Sequence, residues 1–373
     1  MLPIFTALHL PRTLFGAGSL ALLPDELNAL GVRRPMLVTD KGLVKAGLVE
    51  KLVSACRDTI ALTVFDTVTE NPLFSDVDRG AREYARAGCD GIIALGGGSV
   101  IDAAKFIALL ATNAGVAADF AGAPGAKHGP GAPLIVIPTT AGTGSEASPS
   151  AGIHPDAHTA TLGMSSRHLV PKVAILDPDL TASLPKRLTA ATGIDALSHC
   201  VEGYLSKRDL PLGKSIALDG IARVTRSLRS ATVNRDPVAR ADMMLAAYAG
   251  GASIGMGLGP AHAFAITCSD QGFHHGILSG IGMVATLDAT AAHVPDRVAE
   301  LAAAFGVKAP LSEAIAALMT DLGLPITLAG LGYTVTDVST LGKAAQRSHF
   351  NASAPFHPSA EEYAAMIAAS ASR

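Results

Sequence analysis

The chain has 373 residues, 49% of them hydrophobic and 16% charged, with a formal net charge of −3. That length suits two domains, and so apolar a composition excludes a largely disordered chain. No basic excess marks a nucleic-acid binder, and no apolar run reaches the roughly 18 residues of a membrane-spanning helix.

The first segment, Met1 to Pro11, has no basic region before its apolar residues, so the chain is expected to be soluble, unexported and cytoplasmic. Pro35-Met-Leu-Val-Thr-Asp40 then reads as a buried strand and its exit turn, residues 42–56 as helix, and Ile60 to Asp66 as a second strand. A helix is expected from Ser75, as its cap, to Gly88, its stop, followed by a short apolar strand, Gly91 to Leu95. Further strands are expected at Pro133 to Pro138 and Val173 to Leu176, with a glycine- and proline-rich loop at 122–131. Strands alternating with helices imply a parallel sheet. After Asp177 to Pro185 the sequence turns Ala-rich with hardly any β-branched runs, which predicts helices. The expected organisation is an α/β domain over 1–180 and an all-α domain over 181–373, whose last residues should fray. The cysteines, Cys56, Cys89, Cys200 and Cys268, form no C-x-x-C pair, which fits a reducing compartment. Cys200 and Cys268 read as buried small hydrophobes.

The apolar strand ending at Leu95 runs directly into Gly96-Gly-Gly-Ser-Val-Ile-Asp-Ala-Ala-Lys105. Glycines followed by a helix let backbone N–H groups approach an anion, and the positive end of the helix dipole stabilises it. The pattern is neither G-x-G-x-x-G nor a Walker loop. A second polar loop, Pro138-Thr-Thr-Ala-Gly-Thr-Gly-Ser-Glu-Ala-Ser148, also follows a strand, and in an open parallel sheet both lie at the carboxyl edge where ligands bind. Asp40, at the end of an earlier strand, is placed to accept hydrogen bonds from ribose hydroxyls and repel a 2′-phosphate, favouring NAD over NADP; a plain turn aspartate is the competing reading.

Asp195 and His199 stand four apart in Gly193-Ile-Asp-Ala-Leu-Ser-His199, so they share one helix face. With His262 and His275 they make a set of one carboxylate and three imidazoles, which suits iron(II) or zinc. His262 and His275 cannot act from one straight helix, because thirteen residues span about 20 Å, so the chain must turn back between them, with Gly272 as a candidate break. His274 competes with His275, and Gly276 mildly favours the latter. A surface or capped-helix pair is the alternative for Asp195 and His199.

These motifs agree in order and spacing, and together with Asp177-Pro they resemble the iron-containing alcohol dehydrogenase family from about residue 10 to about 290 and more weakly beyond. The resemblance implies an N-terminal α/β dinucleotide-binding domain, a helical C-terminal domain in the dehydroquinate synthase-like architecture, a cleft between them, and a homodimer or larger homo-oligomer. It implies Asp195, His199, His262 and His275 as ligands of Fe2+, or of Zn2+. It also implies Gly96, Gly97, Gly98, Ser99 and Asp102 around the pyrophosphate, Thr139, Thr140, Thr143 and Ser148 as further cofactor contacts, and Asp40 at the adenine ribose. The implied reaction is interconversion of a small alcohol and its aldehyde or ketone with NAD(H), the metal acting as a Lewis acid.

Departures surround the substrate side. The histidine common four residues after the third ligand is Ile266 here, which leaves His274, Asp270 or a water as candidate proton relay. The interval between the last two histidines is one residue short. Thr161 is read in place of a lysine common in the strand before Asp177-Pro, and Asn351-Ala-Ser-Ala-Pro-Phe-His-Pro358 lacks the usual Asn-Pro-Arg. These changes favour a non-standard substrate. The competing readings are a maleylacetate reductase-like enzyme, a dehydroquinate synthase-like lyase and a non-catalytic NAD-binding protein.

Overall fold

The computed structural model describes residues 8–56, 60–123, 125–208, 210–308 and 310–372. Residues 1–7, read above for a leader, and the terminal Arg373 lie outside the described residues. Contacts divide the chain into an α/β unit, 9–140 with 145–184, and a helical unit built on 185–373 that also takes in 141–144.

In the α/β unit, β1 (Arg12–Phe15), β2 (Pro35–Val38), β3 (Thr63–Phe65), β4 (Gly91–Gly96), β5 (Leu134–Pro138) and β8 (Val173–Leu176) form one sheet in the order β1-β8-β5-β4-β2-β3. Every pairing in it is parallel, as the alternation of strands and helices predicts. Strands β2, β4, β5 and β8 are buried along their whole length, which explains their unbroken apolar runs. One face of the sheet, through Leu37, Ile93, Leu95, Ile135, Ile137, Val173 and Ile175, packs with Leu23 and Leu27 of α1 (Leu23–Ala29) and Leu48 and Leu52 of α3 (Leu48–Ala55). The alternate residues of β4 face the other way, where α5 (Gly98–Leu110) packs on the strand and α4 (Phe74–Arg86) packs on α5. Asp177, fully buried, ties the end of β8 to the segment after β1, accepting from the N–H groups of Gly18 at 3.1 Å and Leu20 at 3.0 Å.

Several sequence expectations need correction. Helix 42–56 is broken into α2 (Lys41–Lys45) and α3, because Gly47 takes a left-handed conformation with φ 76°. Ser75 does not cap α4: the helix begins one residue earlier, and Asp76 reaches back to the Leu73 N–H. Thr161 is not in the strand before Asp177. It precedes β7 (Leu162–Ser165), which pairs antiparallel with β6 (Ser150–Ile153), and its hydroxyl bonds His154 Nε2 at 2.7 Å. The pairing Gly152↔Gly163 lies at the middle of this two-stranded sheet, for which the sequence pattern predicts no strand.

The helical unit contains α6 (Lys186–Leu205), α7 (Pro211–Val233), α8 (Pro237–Ile254), α9 (Pro260–Thr267), α10 (His275–His293), α11 (Pro295–Phe305), α12 (Leu311–Asp321), α13 (Leu328–Leu331), α14 (Val338–Arg347) and α15 (Ala360–Ala371). Helix α6 is central: Thr189 through Leu205 are all buried, and α7, α8 and α10 pack around it. A helix buried on every side belongs inside a bundle, and the Ala- and Gly-rich composition is what lets neighbours approach it closely. Among the described residues no helix is long and apolar enough to cross a membrane.

Candidate metal centre and dinucleotide loops

The four predicted ligands converge. Asp195 and His199 leave α6 one turn apart, His262 lies in the first turn of α9, and His275 opens α10. One ligand atom from each lies within 4.8 Å of the others. His275 Nε2 is 3.8 Å from Asp195 Oδ1 and His199 Nε2 is 3.9 Å from it, while the His199 and His262 rings stack at 4.9 Å. The chain turns back between His262 and His275 as their separation requires, with Gly272 in a left-handed conformation. His274 stands outside the cluster: it is the N-cap of α10, its ring accepting the Gly276 N–H at 3.1 Å. Asp270 accepts from the Tyr333 hydroxyl at 2.8 Å.

Electrostatics prepare these groups for a cation. Burial pushes the Asp195 carboxyl up, but the attraction it would feel from His199, His275 and His262 whenever those rings are protonated outweighs this and holds the group below its ordinary value. Burial holds His199 down at about 4 against the pull of Asp195, and pushes His275, whose side chain keeps 39% of its exposure, in the same direction. Neutral imidazoles beside an ionised carboxylate are the protonation states a metal requires. Asp195 Oδ1, His199 Nδ1 and His262 Nε2 are moreover buried without a hydrogen-bond partner. Orphaned buried acceptors are costly, and a metal ion bound among Asp195 Oδ1 and His262 Nε2 would relieve two of them, so the donor set fits the group.

One neighbour of this centre escaped sequence reading. Glu202, three residues after His199 and 5% exposed, accepts from His262 Nδ1 at 2.6 Å. The same carboxylate accepts the backbone N–H groups of Gly259, Ala261 and His262 at 2.7–3.1 Å. The available signal was a lone acid on an otherwise apolar stretch of α6.

Within the α/β unit, the sheet order places a topological switch between β2 and β4, since β3 lies on one side of β2 and β4 on the other. Ligands of open α/β sheets bind at the carboxyl ends of strands at such a point. Asp40 follows β2, Gly96–Ser99 ends β4 and enters α5, and Thr139 and Thr140 follow β5, next to β4. Gly97 is the N-cap of α5 and no side chain caps that helix, so its first amides are available to an anion. A Cβ on Gly97 would come 3.3 Å from the Thr140 methyl, so the two loops meet.

Several of the other predicted contacts also make hydrogen bonds within the protein. Asp40 is the N-cap of α2, accepting the Leu43 N–H at 2.9 Å. Ser99 donates to the Glu70 carbonyl. Asp102 accepts from the Ser145 hydroxyl and from the Gly152 N–H at 2.8 Å. Ser148 is buried and its hydroxyl accepts the Ser150 N–H at 3.0 Å. Lys105, 1% exposed, donates to the carbonyls of Ser148 at 2.9 Å and Ser150 at 2.7 Å. Thr143 lies in the short segment assigned to the helical unit.

Comparison with known proteins agrees with this architecture. The sequence profile of iron-containing alcohol dehydrogenases matches residues 11–178, and that of the family's C-terminal region matches residues 189–371. The chain is 38% identical over 366 residues to a 4-hydroxybutyrate dehydrogenase from Cupriavidus necator, covering 94% of this chain and 95% of that one. A solved 1,3-propanediol oxidoreductase superposes with a TM-score of 0.93 at 30% identity, covering 98% of this chain and all of the other. A sulfoacetaldehyde reductase from Bifidobacterium kashiwanohense, solved in complex with NAD+, superposes with a TM-score of 0.91 at 28% identity over the whole of both chains. The chain belongs to the iron-containing alcohol dehydrogenase family.

Proposed function

We propose that the protein is a metal-dependent, NAD(H)-dependent dehydrogenase that interconverts a small alcohol and its aldehyde or ketone. The observation that carries this is the convergence of Asp195, His199, His262 and His275, with buried acceptor atoms left for a cation. When bound, the metal supplies Lewis-acid polarisation of the substrate oxygen and the dinucleotide supplies or accepts hydride. Asp195 and the three histidines would hold the metal, iron(II) being preferred on family membership and zinc equally suited by the donor set. The first amides of α5 would hold the pyrophosphate, and Asp40 would accept the ribose hydroxyls, favouring NAD over NADP. Ile266 offers no proton, and a metal held by these residues would lower the pKa of a substrate hydroxyl, so that less would be required of a general base.

The test pairs metal analysis with NADH oxidation against short aldehydes, hydroxyaldehydes and keto acids, in the wild type and in His199→Ala. About one metal per chain with metal-dependent turnover, both lost in the variant, is expected. Metal content and turnover unchanged in His199→Ala would overturn the assignment, and turnover by metal-free protein would move it to the maleylacetate reductase type.

A further inference from the structure

Asp195, His199 and Glu202 stand at i, i+4 and i+7 on α6, so all three leave one face of one helix. The first two belong to the metal cluster. Glu202 instead addresses the start of α9, which has no side-chain cap of its own. Pro260, its first residue, has no N–H to satisfy; the N–H groups of Gly259, Ala261 and His262 all end on the two Glu202 oxygens. Gly259 permits the approach, since a Cβ there would lie 2.9 Å from Glu202 Oε1. The Gly-Pro that precedes Ala261 and His262 is therefore built around a carboxylate from another helix.

The fourth bond acts on chemistry. With three backbone donors directed at it, the carboxylate serves as acceptor, so the His262 ring presents Nδ1–H to it. A neutral imidazole carries one proton, which leaves Nε2, buried and unpartnered, as a lone pair. We propose that Glu202 is a positioning residue that locks His262 as the Nδ1–H tautomer and fixes its ring plane, so that Nε2 is always available as a ligand. This rests on the metal reading above. Partners of this kind set ligand orientation and basicity, and their loss typically weakens metal binding about 10- to 100-fold.

The experiment titrates metal-stripped full-length protein with Zn2+ in competition with a chelating dye, for the wild type, Glu202→Gln, His262→Ala and the double variant, with thermal melts of each metal-free form. An amide in place of the carboxylate either faces a backbone N–H with a donor or donates to Nδ1 and moves the ring proton to Nε2. The expected result is a Kd weakened about 10- to 100-fold in folded Glu202→Gln, and less than about a twofold further change when Glu202→Gln is added to His262→Ala, because the effect travels through that ring. Glu202→Asp, which keeps the carboxylate, should retain more affinity than Glu202→Gln and replaces it if that variant does not fold. A wild type that binds no Zn2+ overturns the metal reading and this proposal with it. A wild type that binds while the Glu202 variants bind equally well, or an equal loss in the His262→Ala background, overturns the positioning role alone.

Discussion

Substituting Gly276 by alanine tests how closely α10 must approach α6. The added Cβ would sit 2.3 Å from the Ala191 carbonyl oxygen and 2.9 Å from Asp195 Cβ, both on α6. An ordinary carbon–oxygen contact is roughly 3.3 Å or more, so α10 must withdraw by about 1 Å at the turn that carries His275. Overpacking of this kind costs about 1–3 kcal/mol. At roughly 2–4 °C per kcal/mol for a unit of this size, the metal-free protein should melt about 2–12 °C lower. The effect on the metal should be larger, since ligand distances tolerate only about 0.2 Å, and a tenfold or greater loss of Zn2+ affinity is expected. The assays are thermal unfolding by circular dichroism and chelator competition. Gly272, left-handed with nothing within 4 Å of its Cβ position, provides the control: Gly272→Asn should leave both quantities near wild type. Wild-type melting and affinity in Gly276→Ala would refute the argument.

Asp40→Ala should cost about 1 kcal/mol through loss of the α2 cap. If Asp40 also faces the ribose, the KM ratio of NADP to NAD should fall at the same time, and an unchanged ratio would reduce the residue to its cap. Glu146, 3% exposed, has its carboxyl pushed up to about 7 by burial, against its own backbone hydrogen bond and Lys105. Its raised folded pKa means that the folded state holds the proton where the unfolded chain has lost it, so stability from this group is full below the unfolded value of 4.5 and is lost as pH rises through about 7. The melting temperature of Glu146→Gln relative to wild type should therefore climb between pH 5 and 7, and a pH-independent difference would contradict the burial argument.

What the sequence revealed follows from which forces are local. Strands β2, β4, β5 and β8 are buried on both faces and are written as unbroken apolar runs. Asp195 and His199 were legible because helical spacing alone puts them together. Strand β1, partly exposed at a sheet edge, and the hairpin of β6 and β7 carry no such pattern, and their pairing partners decide their conformation. The α4 cap was misread because Asp76 competes for it through a side chain two positions inside the helix. Glu202 was missed for a different reason: its partners lie 57–60 residues further along the chain, and an acid on a helix ordinarily faces water.

The placement of β1 has a consequence for how the chain reaches its fold. Its partner along the sheet is β8, with Arg12 opposite Val173 and Phe15 opposite Leu176, and the Asp177 bonds to Gly18 and Leu20 secure the same junction. The first strand of the sheet therefore cannot pair along this edge until its last strand, about 160 residues further on, has been made. During synthesis at about 5–20 residues per second, β1 waits of the order of ten seconds or more as an unpaired strand. The entropy of closing so long a loop grows only logarithmically, by about 0.6 kcal/mol per doubling, so the delay burdens the rate of assembly and the risk of aggregation far more than the stability of the finished sheet.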